Sequence, residues 1–199
     1  MSQGHYFTAD PVVASRPGEV ELSLPDFRVR LAVDRGVFAA DAIDAGTLEL
    51  LRATPSPPLD GDLLDLGCGY GPIACTLAHR APRSTVWAVD VNERALALTA
   101  RNAEALGLAT VRPVQPGGVP SSVRFAVIWS NPPIRIGKPA LHDLLTDWLP
   151  RLDAGGVAWL VVHRHLGSDS LAAWLGEHGW DVTRTASKRG YRILRVGGP

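Results

Sequence analysis

Residues 62–72 read DLLDLGCGYGP. Glycines at 67, 69 and 71 follow a short apolar run and precede a helical stretch, so the backbone can turn tightly there and come close to a bound ligand. Outward from this turn, short β-branched or apolar runs alternate with longer helical stretches, which predicts an α/β domain with a parallel sheet covered by helices. Strands are expected at 62–66, 85–90, 109–114, 125–130 and 156–163. Each is short enough for a buried central strand.

The helices carry their own end signals. Asn92 can cap the stretch NERALALTARNAEALGL, Gly107 sits near its close, and Pro139 suits the first turn of PALHDLLTDWLPRL. A helix around 170–178 leads to WDVTRTAS and YRILRV, two strand-like runs separated by KRG, which predict an antiparallel hairpin at one sheet edge. The first fifty residues read differently: VELSL and FRVRLAV as strands, then DRGVFAADAIDAG, then a short helix near 47–51. They are expected to form a lid or substrate-side extension. The Pro- and Asp-rich segment 52–62 is the expected linker, giving one domain with an extension and linker over 1–60 and a catalytic core over 61–199. No internal repeat or low-complexity tract is present.

A chain of 199 residues with 46% hydrophobic content suffices for one sizeable core. The start of the chain has no apolar stretch behind a positive region, and the longest apolar run, Val157 to Val162, is too short to span a bilayer. A soluble cytoplasmic protein is expected. Cys68 and Cys75 have no second metal-ligand pair and read as reduced packing residues, so no metal is expected. Net charge is zero, which weighs against a strong nonspecific grip on nucleic acid. Residues 1–100, however, carry 8 Lys/Arg against 13 Asp/Glu and residues 101–199 carry 12 against 7. That asymmetry is either a charged face or scattered solvated charge.

The glycine loop is either a structural turn or a cradle for a nucleotide-like cofactor. A dinucleotide fingerprint needs a sixth-position glycine, where this chain has Pro72. S-adenosylmethionine (SAM) carries no phosphate and has a sulfonium and an amino-acid tail. Asp65, ahead of the loop, suits the cationic side of such a ligand, and Asp90, after the next strand, can accept hydrogen bonds from ribose hydroxyls. The alternative for both is a turn or capping role.

The most specific element is SNPPIRIGK, residues 130–138, at the end of the fourth sheet strand. Prolines fix φ and remove donors, so the carbonyl after Asn131 is rigid and free to accept. Together with the Asn131 amide oxygen it can hold both hydrogens of an amino group and aim the nitrogen lone pair at the SAM methyl. No metal or strong general base is required. The alternative is a proline-rich turn.

In that order, DLGCGYGP, VDVN and NPPI resemble the class I SAM methyltransferases that modify amino nitrogens. Among these it more closely resembles the small bacterial and archaeal relatives of the ribosomal RNA small-subunit methyltransferase C family, which are guanine-N2 methyltransferases. The likeness includes HYF near the start, GVFAADAIDAGT, NPPIRIGK and GYRILRV. It implies a Rossmann-like sheet of seven strands, mostly parallel with an antiparallel C-terminal edge. It also implies that residues 65–72, including Gly67, Cys68, Gly69, Tyr70 and Gly71, bind SAM with Asp90, Val91 and Asn92. Asn131, Pro132 and Pro133 would hold the target amino group, and ribosomal RNA or a ribosomal subunit would be the partner.

Three features depart from the pattern. Ile134 follows Asn-Pro-Pro where an aromatic residue often stacks on the base, so that wall is expected from Phe38 or Phe7. The region VQPGGVPSSV lacks the acidic or Ser/Asn-Asp pattern that contacts the adenine of the cofactor, and Ala126 stands where Asp is common. The full-length small-subunit enzymes also carry an additional N-terminal domain, where this chain has at most fifty residues.

Arg135 and Lys138 are assigned to phosphate contacts beside the target nucleotide. Lys138 precedes the expected first helical residue, where the helix dipole disfavours a cation and Ser, Thr, Asp or Asn is the usual structural choice. A solvated lysine is the alternative. His163 and His165 either line the pocket or are solvated strand-end residues, Tyr70 either packs over the methionine moiety or faces solvent, and the six tryptophans read as packing. The competing functions are a protein-glutamine N5 or adenine-N6 methyltransferase and a non-catalytic SAM-binding assembly protein. Asp65, Asp90 and Asn131 speak against the last.

Overall fold

The computed structural model describes residues 14–198. Seven strands form one sheet in the order β5-β4-β3-β6-β7-β9-β8. The strands are β3 (Asp62–Leu66), β4 (Thr85–Val89), β5 (Val111–Val114), β6 (Phe125–Ser130), β7 (Leu152–His163), β8 (Asp181–Lys188) and β9 (Tyr191–Gly197). β3 to β7 pair in parallel, and β9 enters antiparallel between β7 and β8. The chain leaves β3 toward one edge through β4 and β5, then returns to place β6 on the other side of β3. Ligands bind at such a switch point, beyond the carboxyl ends of the strands, because the flanking loops diverge there.

Alternate side chains of each strand enter two cores. On β7, Trp159 and Val161 join the core that faces α1 (Ala45–Ala53), α2 (Pro72–Arg80) and α3 (Glu93–Ala105). Ala158, Leu160 and Val162 join the opposite core, under α4 (Lys138–Trp148) and α5 (Ser168–Glu177). Trp129, Trp148 and Trp159 are buried, and Trp87, Trp174 and Trp180 pack against the second core. β7 begins four residues earlier than expected. Gly155, at φ 79°, and Gly156, where a Cβ would meet the Phe125 carbonyl at 2.7 Å, carry the chain through an irregular register into the sheet.

The N-terminal segment is a hairpin of β1 (Gly18–Ser23) and β2 (Arg28–Val33), followed by α1. It is tied to the sheet domain by polar bonds. Asn102 on α3 accepts from Ala32 N–H at 2.7 Å and donates to the carbonyls of Ala32 and Tyr70 at 3.0 and 2.8 Å. Asn92 donates to the Gly36 carbonyl at 3.0 Å, and Arg80 forks onto Asp26. The hairpin shares the first hydrophobic core, so it packs as a fixed wall beside α2 and α3. The expected linker is shorter than its composition suggested, because α1 runs on to Ala53.

Candidate functional site

Loops from the carboxyl ends of β3, β4, β6 and β7, with the segment between β2 and α1, enclose a cavity of about 420 Å³ at the switch point. Its cofactor side is built by the glycine loop. Gly67, Gly69 and Gly71 all take positive φ, at 80°, 57° and 89°, which explains three glycines in five residues. Gly67, Cys68, Gly69 and Tyr70 line the cavity, whereas Gly71 lies behind it as the N-cap of α2, where a Cβ would press on Thr99 at 2.9 Å. Tyr70 is buried and lines the cavity, so it does not face solvent.

Asp90, Val91 and Asn92 also line the cavity. Asp90 Oδ2 accepts Gly69 N–H at 2.9 Å and Oδ1 accepts Asn92 N–H at 2.9 Å, so the carboxylate braces the loop and keeps further lone pairs for a ligand. Burial raises its pKa, and its backbone hydrogen bonds oppose the rise. Asn92 caps α3 through Arg94 and Ala95 N–H. Asp65 is fully buried and does not line the cavity. Its Oδ2 accepts Ala74 N–H at 2.9 Å inside α2, while Oδ1 has no partner among the described residues. Burial pushes its carboxyl well above the usual range, and the charge of Asp90 adds to this. Asp65 was expected at the ligand; the structure places it behind the loop, off the cavity. Burial also raises both cysteine thiols, Cys75 to about 12, so neither is a nucleophile at neutral pH.

At the end of β6, Asn131, Pro132, Pro133, Ile134 and Arg135 line the cavity. Asn131 Nδ2 donates to Asp44 Oδ1 at 2.7 Å and to Thr47 Oγ1 at 3.0 Å. A carboxylate only accepts, so the amide is fixed with its oxygen away from Asp44. Asp44 itself caps α1 by accepting Thr47 N–H at 3.0 Å. The Pro132 carbonyl is less free than expected. Pro133, at φ −75° and ψ 70°, closes a tight turn in which that carbonyl accepts Ile134 N–H at 2.8 Å, leaving one lone pair open.

Phe38, 44% exposed, stands at the cavity, and Phe7 lies outside the described residues. A second aromatic pair, His163 and Tyr191, also lines it, with ring centroids 4.9 Å apart at 79°. His163 is thus a lining residue, while His165 is exposed on the following turn. Lys138 departs from expectation. α4 starts at Lys138 itself with Gly137 as its cap, so the preference for Ser, Thr, Asp or Asn applies one residue earlier. Lys138 borders a separate hollow of about 20 Å³ with Ile134, His142 and Leu166. Ala126 lies near the start of β6, against Gly61 and off the cavity, whereas Pro116 of the VQPGGVPSSV region does line it.

Asp44, Thr47 and Tyr191 are site residues that motif reading did not single out. The sequence signal for Asp44 was the cap pattern, Asp three residues before Thr47 at a helix start. Among the described residues no group of three His, Cys, Asp or Glu is placed to hold a metal, and no helix is long and apolar enough to cross a membrane.

The family described as Methyltransferase small domain matches residues 28–195, which span the cavity and all but the last two residues of the seven-stranded sheet. The chain belongs to this methyltransferase family. The uncharacterized protein YbxB of Bacillus subtilis (strain 168) is 34% identical over 96% of this chain and 97% of its own. Ribosomal RNA small subunit methyltransferase C of Shewanella piezotolerans is 32% identical over 88% of this chain, which spans 51% of that enzyme. Among solved structures, the T. thermophilus 16S rRNA N2 methyltransferase RsmC, in complex with AdoMet and guanosine, superposes with a TM-score of 0.77 at 22% identity. That match covers 95% of this chain and 52% of the other, and it shows a common class I methyltransferase fold. This chain therefore spans about half the length of these ribosomal RNA methyltransferases.

Proposed function

We propose that this methyltransferase moves the methyl group of S-adenosylmethionine to an exocyclic amino nitrogen, the N2 of a guanine in ribosomal RNA, in the cytoplasm. The observation that carries the reading is the fixed Asn131 amide. Its nitrogen is committed to Asp44 and Thr47, so an oxygen is left for the substrate beside the Pro132 carbonyl. Two acceptors suit the two hydrogens of an amino group; a hydroxyl offers only one. The names of the small-subunit methyltransferase C relatives, and guanosine bound in the structural neighbour, support ribosomal RNA as the substrate class.

The residues of the cofactor side fit SAM. A cavity of about 420 Å³ is within the range of small-molecule sites, and no side chain comes nearer than 4.0 Å to the Cβ position of Gly67 or 3.9 Å to that of Gly69. Asp90 and Asp44 line it, with Asp65 beneath, which favours a cationic ligand over a pyrophosphate. SAM supplies a methyl carbon made electrophilic by its sulfonium. The glycine-loop backbone and Asp90 hold that ligand, and Asn131 with Pro132 holds the acceptor so that its lone pair faces the methyl. The acceptor nitrogen forms the N–C bond as the C–S bond breaks with its electron pair left on sulfur, and the nitrogen then sheds one proton to solvent.

The test offers labelled SAM in parallel to free ribosomal RNA, small ribosomal subunits and protein, with identification of the product. N2-methylguanosine is expected. Asn131→Ala should keep SAM affinity and lose about a hundredfold or more in turnover, as misplaced acceptors do. N6-methyladenosine or N5-methylglutamine as the product, or parental turnover by Asn131→Ala, would overturn the reading.

A further inference from the structure

The Asp44 carboxylate has more acceptor capacity than the fold uses. Oδ1 takes the Asn131 Nδ2–H at 2.7 Å and the Thr47 backbone N–H at 3.0 Å. Oδ2 has no partner among the described residues, and Asp44 lines the same cavity as Asn131 and Pro132. Its position is rigid, because the bond to Thr47 N–H is the N-cap of α1. The open oxygen therefore adds a further acceptor to the cavity that the Asn131 amide and Pro132 line.

A further acceptor beside an amino-gripping site is complementary to a second donor next to the amino group. Guanine offers one, since its 2-amino group stands next to N1–H. Adenine places its amino group beside a bare ring nitrogen, and a carboxamide places its own beside a carbonyl. Each of those would set a lone pair against a carboxylate, and a site built for a donor rejects a group that lacks it far more strongly than an apolar pocket rejects a wrong shape. We propose that Asp44 Oδ2 accepts the N1–H of the target guanine, which makes Asp44 the residue that selects guanine over adenine and over carboxamide side chains. The inference rests on the guanine-N2 reading above. It also gives the substrate side of the cavity a base-edge reader supplied by the N-terminal segment, outside the Asn-Pro-Pro motif.

Asp44→Asn separates this role from a merely structural one. An asparagine can keep its Oδ1 on Asn131 and Thr47 while placing an NH2 where Oδ2 stood, turning the third acceptor into a donor. The substrate is a synthetic RNA hairpin bearing the guanine that labelling identifies, and a second hairpin carries 2-aminopurine at that position, which keeps the 2-amino group but has a bare N1. The parental protein should favour guanine in kcat/KM by about 10- to 100-fold, the worth of a hydrogen bond to a charged group. Asp44→Asn should lose or invert that preference when the two hairpins are compared at saturating SAM. Equal methylation of both hairpins by the parental protein, or a variant that slows both by the same factor, overturns the proposal and leaves Asp44 as a clamp for Asn131. If labelling of ribosomal RNA yields no methylated guanine, it is the guanine reading itself that fails, at a separate and earlier step.

Discussion

Asp65 is a fully buried carboxyl whose ionisation is linked to stability. Its folded pKa is raised by burial, so the protonated form is favoured in the native state. Its stabilising contribution is then complete below the ordinary carboxylate range and is lost as pH rises through the raised folded value. Asp65→Asn, which can still accept Ala74 N–H, should unfold at a higher temperature than the parental protein when no ligand is bound. The difference should grow with pH and vanish in acid. The same variant should bind SAM more weakly where a bound cation would draw the carboxyl toward its ionised form, a response the amide cannot make. Thermal unfolding across pH, with and without SAM, reads both effects, and parallel curves for the two proteins would remove Asp65 from this role. The sequence placed this Asp beside the glycine loop but could not tell whether its side chain faces the ligand or the helix behind it. That choice is made by the strand's pleat, which turns Asp65 toward Ala74.

At the scale of elements, the first turn of α1 joins the N-terminal segment to the Asn-Pro-Pro loop. Gly46 sits in that turn, and a Cβ there would lie 2.7 Å from Tyr191 Cε1 and 3.0 Å from Asp44 Oδ1. Ala in place of Gly favours a helix by up to about 1 kcal/mol, so propensity alone argues for alanine. Gly46→Ala should therefore change the unfolding temperature little, while displacing the Tyr191 ring and the Asp44 carboxylate and lowering methyl transfer with SAM affinity intact. Parental turnover by this variant would show that the contact between α1 and Tyr191 does not set the acceptor geometry. The existence of α1 was legible near residues 47–51, but its contact with β9 was not, because it joins segments about 145 residues apart and leaves no local pattern. The same holds for Lys138, whose place in α4 depended on Gly137 taking φ 94°, a conformation that composition permits but does not require.

Over the whole molecule, Lys188 pairs with Glu49 across the two halves of the chain, whereas Arg184, Arg192 and Arg195 find their partners within the basic second half. Arg184 and Arg192 both reach Asp169, and Arg195 reaches Asp181. Arg135 and Lys138 are exposed beside the acceptor end, the first on the cavity and the second on the adjoining hollow. If RNA crosses both, replacing the pair with Ala should weaken binding across sequences and flatten the salt dependence by about one unit of slope per lost contact. An unchanged slope would put the RNA path elsewhere, with SAM affinity as the control. By itself the sequence determined the α/β class, the strand at 62–66, the glycine turn after it and the proline turn after β6, because each rests on local periodicity or on residues such as Gly and Pro whose backbone limits are intrinsic. Only the tertiary structure decided that β9 lies between β7 and β8, that the N-terminal hairpin packs as a wall, and that Asp44 meets Asn131 across 87 positions of chain. Those pairings depend on which buried faces and unpaired polar groups meet after folding, and spacing along the chain does not record it.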